Sequence, residues 1–282
     1  MFHVEHNRES TKKEMAVPRI IAVANQKGGV GKTTTSVNIA TSLAISDHSV
    51  LLVDLDPQSN ATSGLGLDPR SLTHTIYDGM ARGVPLASII TSTAVEKLAV
   101  APANADLVGA EVELVNVEGR EMILKRIMQE VLIGYDFIIL DCPPALGILT
   151  INALVAASSV LVPMQCEYYA MEGLGRLMAN VKRVQDSLNP SLHLEGIVLT
   201  MYDSRNSLAR QVVEEIRSHF KEKVYKTMIP RNVTLAEAPS YGRPVALYNA
   251  ASAGAQAYLE LTKEILAHGE ESTREGTGSA ST

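Results

Sequence analysis

Lys27, Lys32 and Thr33 stand in the run Ile20-Ile21-Ala22-Val23-Ala24-Asn25-Gln26-Lys27-Gly28-Gly29-Val30-Gly31-Lys32-Thr33-Thr34-Thr35. An apolar stretch stops at a glycine loop, and the loop leads into helix-compatible sequence. That is the order strand, phosphate-binding loop, helix. Glycines let the backbone curl round an anion with its N–H groups turned inward. A helix that starts at Thr33 adds the positive end of its dipole. In such a loop Lys32 reaches the β- and γ-phosphates of a nucleoside triphosphate, and the Thr33 hydroxyl holds Mg²⁺. The usual pattern wants a glycine five residues before Gly31, where this chain has Gln26, and a second lysine, Lys27, follows it. The phosphate cradle gives Lys27 no task, so it needs a role of its own.

Two further apolar runs end in carboxylates. Leu51-Leu52-Val53-Asp54-Leu55-Asp56-Pro57-Gln58 sets two of them just past a strand, and alternation puts Asp54 and Asp56 on the same side. Phe137-Ile138-Ile139-Leu140-Asp141-Cys142-Pro143-Pro144 ends in Asp141. In phosphate-loop ATPases an Asp at such a strand end holds Mg²⁺. A lone Asp there can also cap a turn; it is the three carboxylates together, following this loop, that point to nucleotide chemistry.

The elements that must position these groups alternate along the chain. Strands are expected over Ile20–Ala24, Val50–Asp54, Leu98–Ala101, Phe137–Asp141, Val160–Pro163 and Gly196–Met201, each short and almost continuously apolar, as buried parallel strands are. Helical patterns cover Thr34–Ile45, Ala105–Val115, Glu121–Leu132, Leu149–Ala157, Glu172–Leu188, Leu208–Phe220 and Ala253–Ala267. The expected fold class is therefore α/β, a single domain with a doubly wound, mainly parallel sheet and helices on both faces. Ligands then belong at the carboxyl ends of the strands. Residues 1–18 are polar and aperiodic and read as a flexible arm. Residues 269–282, rich in Gly, Ser, Thr and Glu, read as a disordered tail, which leaves 19–268 as the folded unit.

Bulk properties narrow the function classes. Hydrophobic residues make up 46% of the 282 residues and charged ones 20%, which suits a globular domain. A net charge of −6 argues against a wholly basic nucleic-acid coat but leaves room for a local basic face. Two cysteines, Cys142 and Cys166, are too few for a disulfide framework and lack metal-ligand spacing, which suggests a reduced cytoplasmic setting. No stretch approaches the ~20 apolar residues of a membrane span, and the first 18 residues hold no signal-peptide core. Trp is absent and aromatics are 4%, so no stacking platform for single strands is indicated.

Taken together, Lys27-Gly28-Gly29-Val30-Gly31-Lys32-Thr33-Thr34-Thr35, Asp54-Leu55-Asp56-Pro57-Gln58, Asp141-Cys142-Pro143-Pro144, Gln165-Cys166-Glu167-Tyr168-Tyr169 and Ile229-Pro230-Arg231-Asn232-Val233 resemble the ParA family of chromosome- and plasmid-partitioning ATPases, its Soj-type chromosomal members above all. The likeness runs from about residue 19 to 267. It implies a phosphate-loop fold of the deviant Walker A type and a weak, partner-stimulated hydrolysis of ATP to ADP and phosphate. It also implies a role for Lys27: reaching across an ATP-dependent homodimer to the phosphates of the partner subunit. Two face-to-face triphosphates are strongly negative, and a lysine supplied in trans offsets that charge. By the same resemblance Asp56 positions the attacking water, Asp54 supports the metal site, and Asp141 binds Mg²⁺ through water while sensing the γ-phosphate. Nucleotide contacts then fall on Lys27, Gly28, Gly29, Val30, Gly31, Lys32, Thr33 and Thr34, with Pro230-Arg231-Asn232 on the adenine side. The implied partners are nonspecific double-stranded DNA and a ParB-type centromere-binding protein, with no membrane, in the cytoplasm at the nucleoid.

A DNA face is expected between Asp203 and Arg243, where eight Lys and Arg residues stand against five Asp and Glu. Arg210 and Arg217 share a helix face with Glu214, which would pair with either. Arg205 lies in a loop, and the resemblance makes it a phosphate contact that gives affinity without sequence preference. Soj-like proteins often carry a basic residue just after the Asn-Val pair, where this chain has Thr234. That departure weakens the expected patch or shifts it to Lys221, Lys223 and Arg243.

Three rival readings share parts of this pattern. A membrane-associated cell-division ATPase of the MinD type would need an amphipathic C-terminal helix, and residues 269–282 contain no apolar side chain larger than alanine. A reductase with a dimer-bridging iron–sulfur cluster needs two suitably placed cysteines. A non-enzymatic nucleotide-gated scaffold differs only in whether Asp56 supports turnover.

Overall fold

The computed structural model describes residues 17–167 and 170–278. Most of the expected N-terminal arm, together with Tyr168 and Tyr169 of the resemblance motif, lies outside the described residues. Eight strands form one sheet: β1 (Arg19–Val23), β2 (Val50–Asp54), β3 (Thr91–Ser92), β4 (Leu98–Ala101), β5 (Phe137–Asp141), β6 (Ser159–Gln165), β7 (His193–Tyr202) and β8 (Val224–Pro230). Their spatial order is β3-β4-β2-β5-β1-β6-β7-β8. All pairings are parallel except that of the edge hairpin β3–β4. β1 lies between β5 and β6, so the chain crosses to the other half of the sheet beside the phosphate loop, where an open α/β sheet has its ligand crevice.

Alternation along β1 explains the two layers. Ile21 and Val23 enter one apolar cluster, Ala22 and Ala24 the other. The first layer is built on α1 (Lys32–Ile45), the short α2 (Asn60–Gly64) and, at the chain's far end, α10 (Val233–Glu237), α11 (Val245–Tyr248) and α12 (Ala253–Gly278). The second holds α3 (Ile76–Arg82), α4 (Leu86–Ile89), α5 (Leu107–Glu113), α6 (Ile123–Met128), α7 (Ile148–Ala156), α8 (Ala170–Ser187) and α9 (Ser207–Phe220). The central strands β2 and β5 are buried at every position, which accounts for their unbroken apolar sequence.

A polar lock closes the amino edge of the sheet. Arg19 donates to the Ile265 carbonyl (2.9 Å) and to Glu195 (2.7 Å), which also accepts from the Ser159 hydroxyl (2.6 Å). It ties β1, β6, β7 and α12 together. The apolar body of α12 packs on α1 through Tyr258, Leu261 and Ile265, and the Tyr258 hydroxyl meets that of Thr35 (3.1 Å).

Three expectations need correction. β3 and β8 are absent from the sequence-based set: β3 is two residues long, and β8 carries Lys226 and ends at Pro230, an edge-strand composition. The helix expected to end at Ala267 continues to Gly278. Its Glu270, Glu271, Arg274 and Glu275 are adequate helix formers, so residues 269–278 of the expected disordered tail are helical, and 279–282 lie outside the described residues. Glu214 forms no ion pair among the described residues. Instead Arg210 donates to the Ser204 carbonyl (2.7 Å) and Arg217 to that of Lys226 (3.3 Å).

Candidate functional site

The loop between β1 and α1 is held at both ends. The Asn25 amide donates to the Pro163 carbonyl (2.7 Å), and its oxygen accepts from the Lys27 N–H (3.0 Å). Gly29 and Gly31 adopt φ of 73° and 87°. A Cβ on Gly31 would meet nothing nearer than Thr200 at 3.9 Å, so left-handed backbone, rather than space, demands glycine there. Thr200 in turn steadies the loop through its hydroxyl, which donates to the Val30 carbonyl (2.8 Å). Helix α1 begins at Lys32, one residue before the expected start at Thr33, with Gly31 as its N-cap. The first-turn N–H groups of a 14-residue helix thus face the loop.

The two lysines are used differently. Lys32 is buried, and its ammonium donates to the Lys27 carbonyl (3.1 Å) across the inside of the loop. Burial pushes its pKa down, and the carboxylate of Asp141 pulls it back up. Lys27 points out of the loop and pairs with Glu167, their side chains 48% and 49% exposed.

Asp54 and Asp141 are neighbours on adjacent strands, β2 and β5, and both are fully buried. Oδ1 of Asp141 accepts from the Ser36 hydroxyl (2.7 Å), while Oδ2 has no hydrogen-bond partner among the described residues. Burial above all, then the Asp54 carboxylate, pushes the Asp141 pKa up; the Ser36 and Thr33 hydroxyls pull it down. An orphaned carboxylate oxygen in that setting suits a cation. Asp54 behaves otherwise. Its Oδ2 accepts from the N–H and the hydroxyl of Thr62 (2.8 and 2.7 Å), and its Oδ1 from the Asp56 N–H (3.1 Å). Both oxygens thus accept hydrogen bonds from the chain itself, which braces the loop that carries Asp56. Burial raises its pKa, against the lowering effect of the Thr62 bonds. Asp56 is held by the Gln58 N–H (2.9 Å) beside Ser59, a non-glycine residue at φ 55°. Among the described residues no cluster of three or more His, Cys, Asp or Glu could hold a metal. Mg²⁺ at nucleotide sites needs no such cage, taking one or two protein ligands with phosphates and water. Thr33 and Asp141 fit that pattern.

Pro230, Arg231 and Asn232 do come to this edge. The Arg231 N–H donates to the Tyr202 carbonyl (3.1 Å), and Pro230 pairs with Tyr202 across β7–β8. With Gly31, Thr34, Thr200, Met201 and Tyr258 they line a cleft of about 220 Å³. The Asn232 oxygen caps α10 through the Leu235 N–H (3.3 Å), a bond that does not involve its amide N–H₂. A second cleft, of about 410 Å³, opens from Thr33 and Thr34 toward Asn60, Ser63 and Arg243.

The expected DNA contacts do not form one patch. Arg205 follows β7 and Arg243 borders the cleft beside Thr33, both at the carboxyl edge. Lys221 and Lys223 precede β8, at its opposite end. Seven residues of strand separate the two ends by about 20 Å. The unrecognised β8 is the cause. Arg205 is itself engaged, its guanidinium bonding both oxygens of Asp203 (2.9 and 2.8 Å). Sequence reasoning also missed Ser36, Thr62, Asn25 and Thr200. Of these only Ser36, one turn after Lys32 on the same helix, carries a local signal.

Loop, helix terminus and strand-end carboxylates define the class: a phosphate-loop nucleotide-binding protein of the α/β type. The family described as an AAA domain matches residues 18–194. The chain is 54% identical over 251 residues to the sporulation initiation inhibitor protein Soj of Bacillus subtilis, covering 89% of this chain and 99% of that protein. It is 52% identical over 250 residues to the chromosome partitioning protein ParA of Myxococcus xanthus, covering 89% and 88%. Among solved structures, cobyrinic acid a,c-diamide synthase of Mycobacterium smegmatis with bound ADP and magnesium superposes with a TM-score of 0.79 at 38% identity, covering 90% and 96%. The chain belongs to the Soj/ParA family of chromosome-partitioning ATPases, and it is an ATPase of the deviant Walker A type. Among the described residues no helix is long and apolar enough to cross a membrane.

Proposed function

We propose that this ATPase is a switch for DNA partitioning, in which ATP joins two protomers, the dimer binds DNA without sequence preference, and hydrolysis releases it. The observation that carries the reading is the division of labour between the lysines. Lys32 lies inside its own cradle, whereas Lys27 lies outside it, half-exposed, with its ammonium paired to Glu167. A cation so placed is available to a triphosphate on a second copy.

Within a protomer, the N–H groups of Gly28 to Thr34 and the Lys32 ammonium bind the phosphates, and the second-layer contacts of Asn25 and Thr200 keep the loop in register. Thr33 and Asp141 would hold Mg²⁺, which would supply positive charge at the phosphates. Asp56 accepts a hydrogen bond from the attacking water and aims it. Asp54 and Thr62 fix the loop that carries Asp56. Pro230, Arg231 and the Asn232 amide border the base. DNA phosphates meet Arg205 with Arg231 and Arg243 at the carboxyl edge, and two such faces on one dimer reinforce each other through effective concentration. A ParB-type protein bound at centromere-like sites is the partner that stimulates turnover, which would place the ATP-bound form on the nucleoid in the cytoplasm.

Lys27→Ala should abolish the ATP-dependent dimer in light scattering, and a normal dimer would refute the trans assignment. DNA retention should require ATP rather than ADP and fall steeply between two salt concentrations; equal retention with either nucleotide would sink the switch.

A further inference from the structure

Glu167 is a charged group to which this mechanism gives no task. It follows β6 by two residues and sits in a turn, its N–H donating to the Gln165 carbonyl (2.9 Å) and its carbonyl accepting from the Ala170 N–H (2.9 Å). Its Oε2 accepts from the Lys27 ammonium. The two residues are 140 positions apart and meet because β1 and β6 are neighbouring parallel strands, Val23 opposite Leu161. Asn25 rivets the two loops, bonding the Pro163 carbonyl on one side and the Lys27 N–H on the other. Buried strands thus place both partners, while their charged ends stay in reach of a second molecule.

We propose that Glu167 is a positioning residue for Lys27, holding its ammonium against its own protomer until a triphosphate on a second copy takes it over. This rests on the assignment of Lys27 to the partner's ATP. A carboxylate and a triphosphate compete for one ammonium, and the more highly charged triphosphate wins only when it is present. Dimerisation therefore exchanges one ion pair for another. Without nucleotide the outward lysine is neutralised in place. An ion pair this exposed contributes up to about fivefold to an equilibrium constant. The dimer opens two of them, so together they raise its dissociation constant by up to about 25-fold. Glu167 sets the ATP and protein concentration at which the switch closes.

The test is a light-scattering titration of the full chain with Mg²⁺ and a slowly hydrolysed ATP analogue. Glu167→Gln should dimerise at roughly 2- to 25-fold lower protein concentration than the wild type. Its monomer's affinity for the analogue, measured below the dimerisation range, should be unchanged. Glu167→Asp, which keeps the charge, should return toward wild type, a rescue that a purely structural role for Glu167 would not tie to charge. Glu167→Gln added to Lys27→Ala should change nothing further, because the effect runs through Lys27. If Lys27→Ala blocks the dimer while Glu167→Gln dimerises no more readily than wild type, the Glu167 proposal alone is overturned. If Lys27→Ala dimerises normally, the trans assignment falls and Glu167 with it.

Discussion

Replacing Thr62 by valine keeps the shape of the side chain and removes one hydroxyl. That hydroxyl donates to Asp54 Oδ2 (2.7 Å) and accepts from the Ala103 N–H (3.0 Å), in a region where Asp54, Thr62 and Ala103 are all 0% exposed. Losing a hydrogen bond to a charged acceptor costs about 1.5–3 kcal/mol, and the stranded Ala103 N–H a further ~1–3 kcal/mol. The added methyl returns about 1 kcal/mol. The expected net loss is roughly 1.5–5 kcal/mol. Urea unfolding followed by circular dichroism should show a lower midpoint at an unchanged slope. Turnover should fall more than ATP affinity, because the loop carrying Asp56 loses its anchor while the cradle keeps its own. A loss under about 1 kcal/mol would refute the brace and return Asp54 to the metal.

Asp56→Ala should bind ATP yet accumulate as a dimer, with phosphate release near background; unchanged release would reassign the residue that aims the water. Arg205→Ala should weaken DNA binding and reduce the salt slope by about one per protomer, whereas Lys221→Ala with Lys223→Ala should do so less; an equal loss would move the DNA face to the amino edge. Glu195→Ala leaves the Ser159 hydroxyl without its acceptor and Arg19 with the Ile265 carbonyl but no carboxylate, and should cost about 2–3 kcal/mol, since Arg19 is partly exposed. Calorimetry that found Glu195→Ala as stable as wild type would dissolve the lock at the amino edge.

What could be read in the sequence is what was encoded locally. The glycine loop, Asp54, Asp56 and Asp141 follow apolar runs whose burial on both faces leaves them no polar residue, so strand and strand end are visible together. β8 hides because an edge strand admits Lys226 and Pro230. The helices α2, α4, α10 and α11 span only four or five residues, less than two turns, too short for a period to show. Asn206 and Asn232, which cap α9 and α10, are ordinary polar residues until the helices after them are known. The pairing of Lys27 with Glu167, and of Asp54 with Thr62, depends on which strands lie side by side and on the fold of the loop after β2. Neither is a property of any short window. Thr234, the departure from the Soj-like pattern, lies half-buried within α10.

The packing of α12 on α1 imposes an order in time. Helix α1 carries Lys32 and Thr33 at its first turn, yet its apolar side is covered by Tyr258, Leu261 and Ile265, which leave the ribosome more than two hundred residues later. Arg19, at the start of the same strand–loop–helix unit, likewise waits for the Ile265 carbonyl. A nascent chain can form β1, β2 and β5 long before then, but the phosphate loop rests on a half-covered helix until synthesis has passed Ile265. The capacity to hold nucleotide firmly, and so to enter any cycle that depends on it, arrives with the last helix and not with the loop.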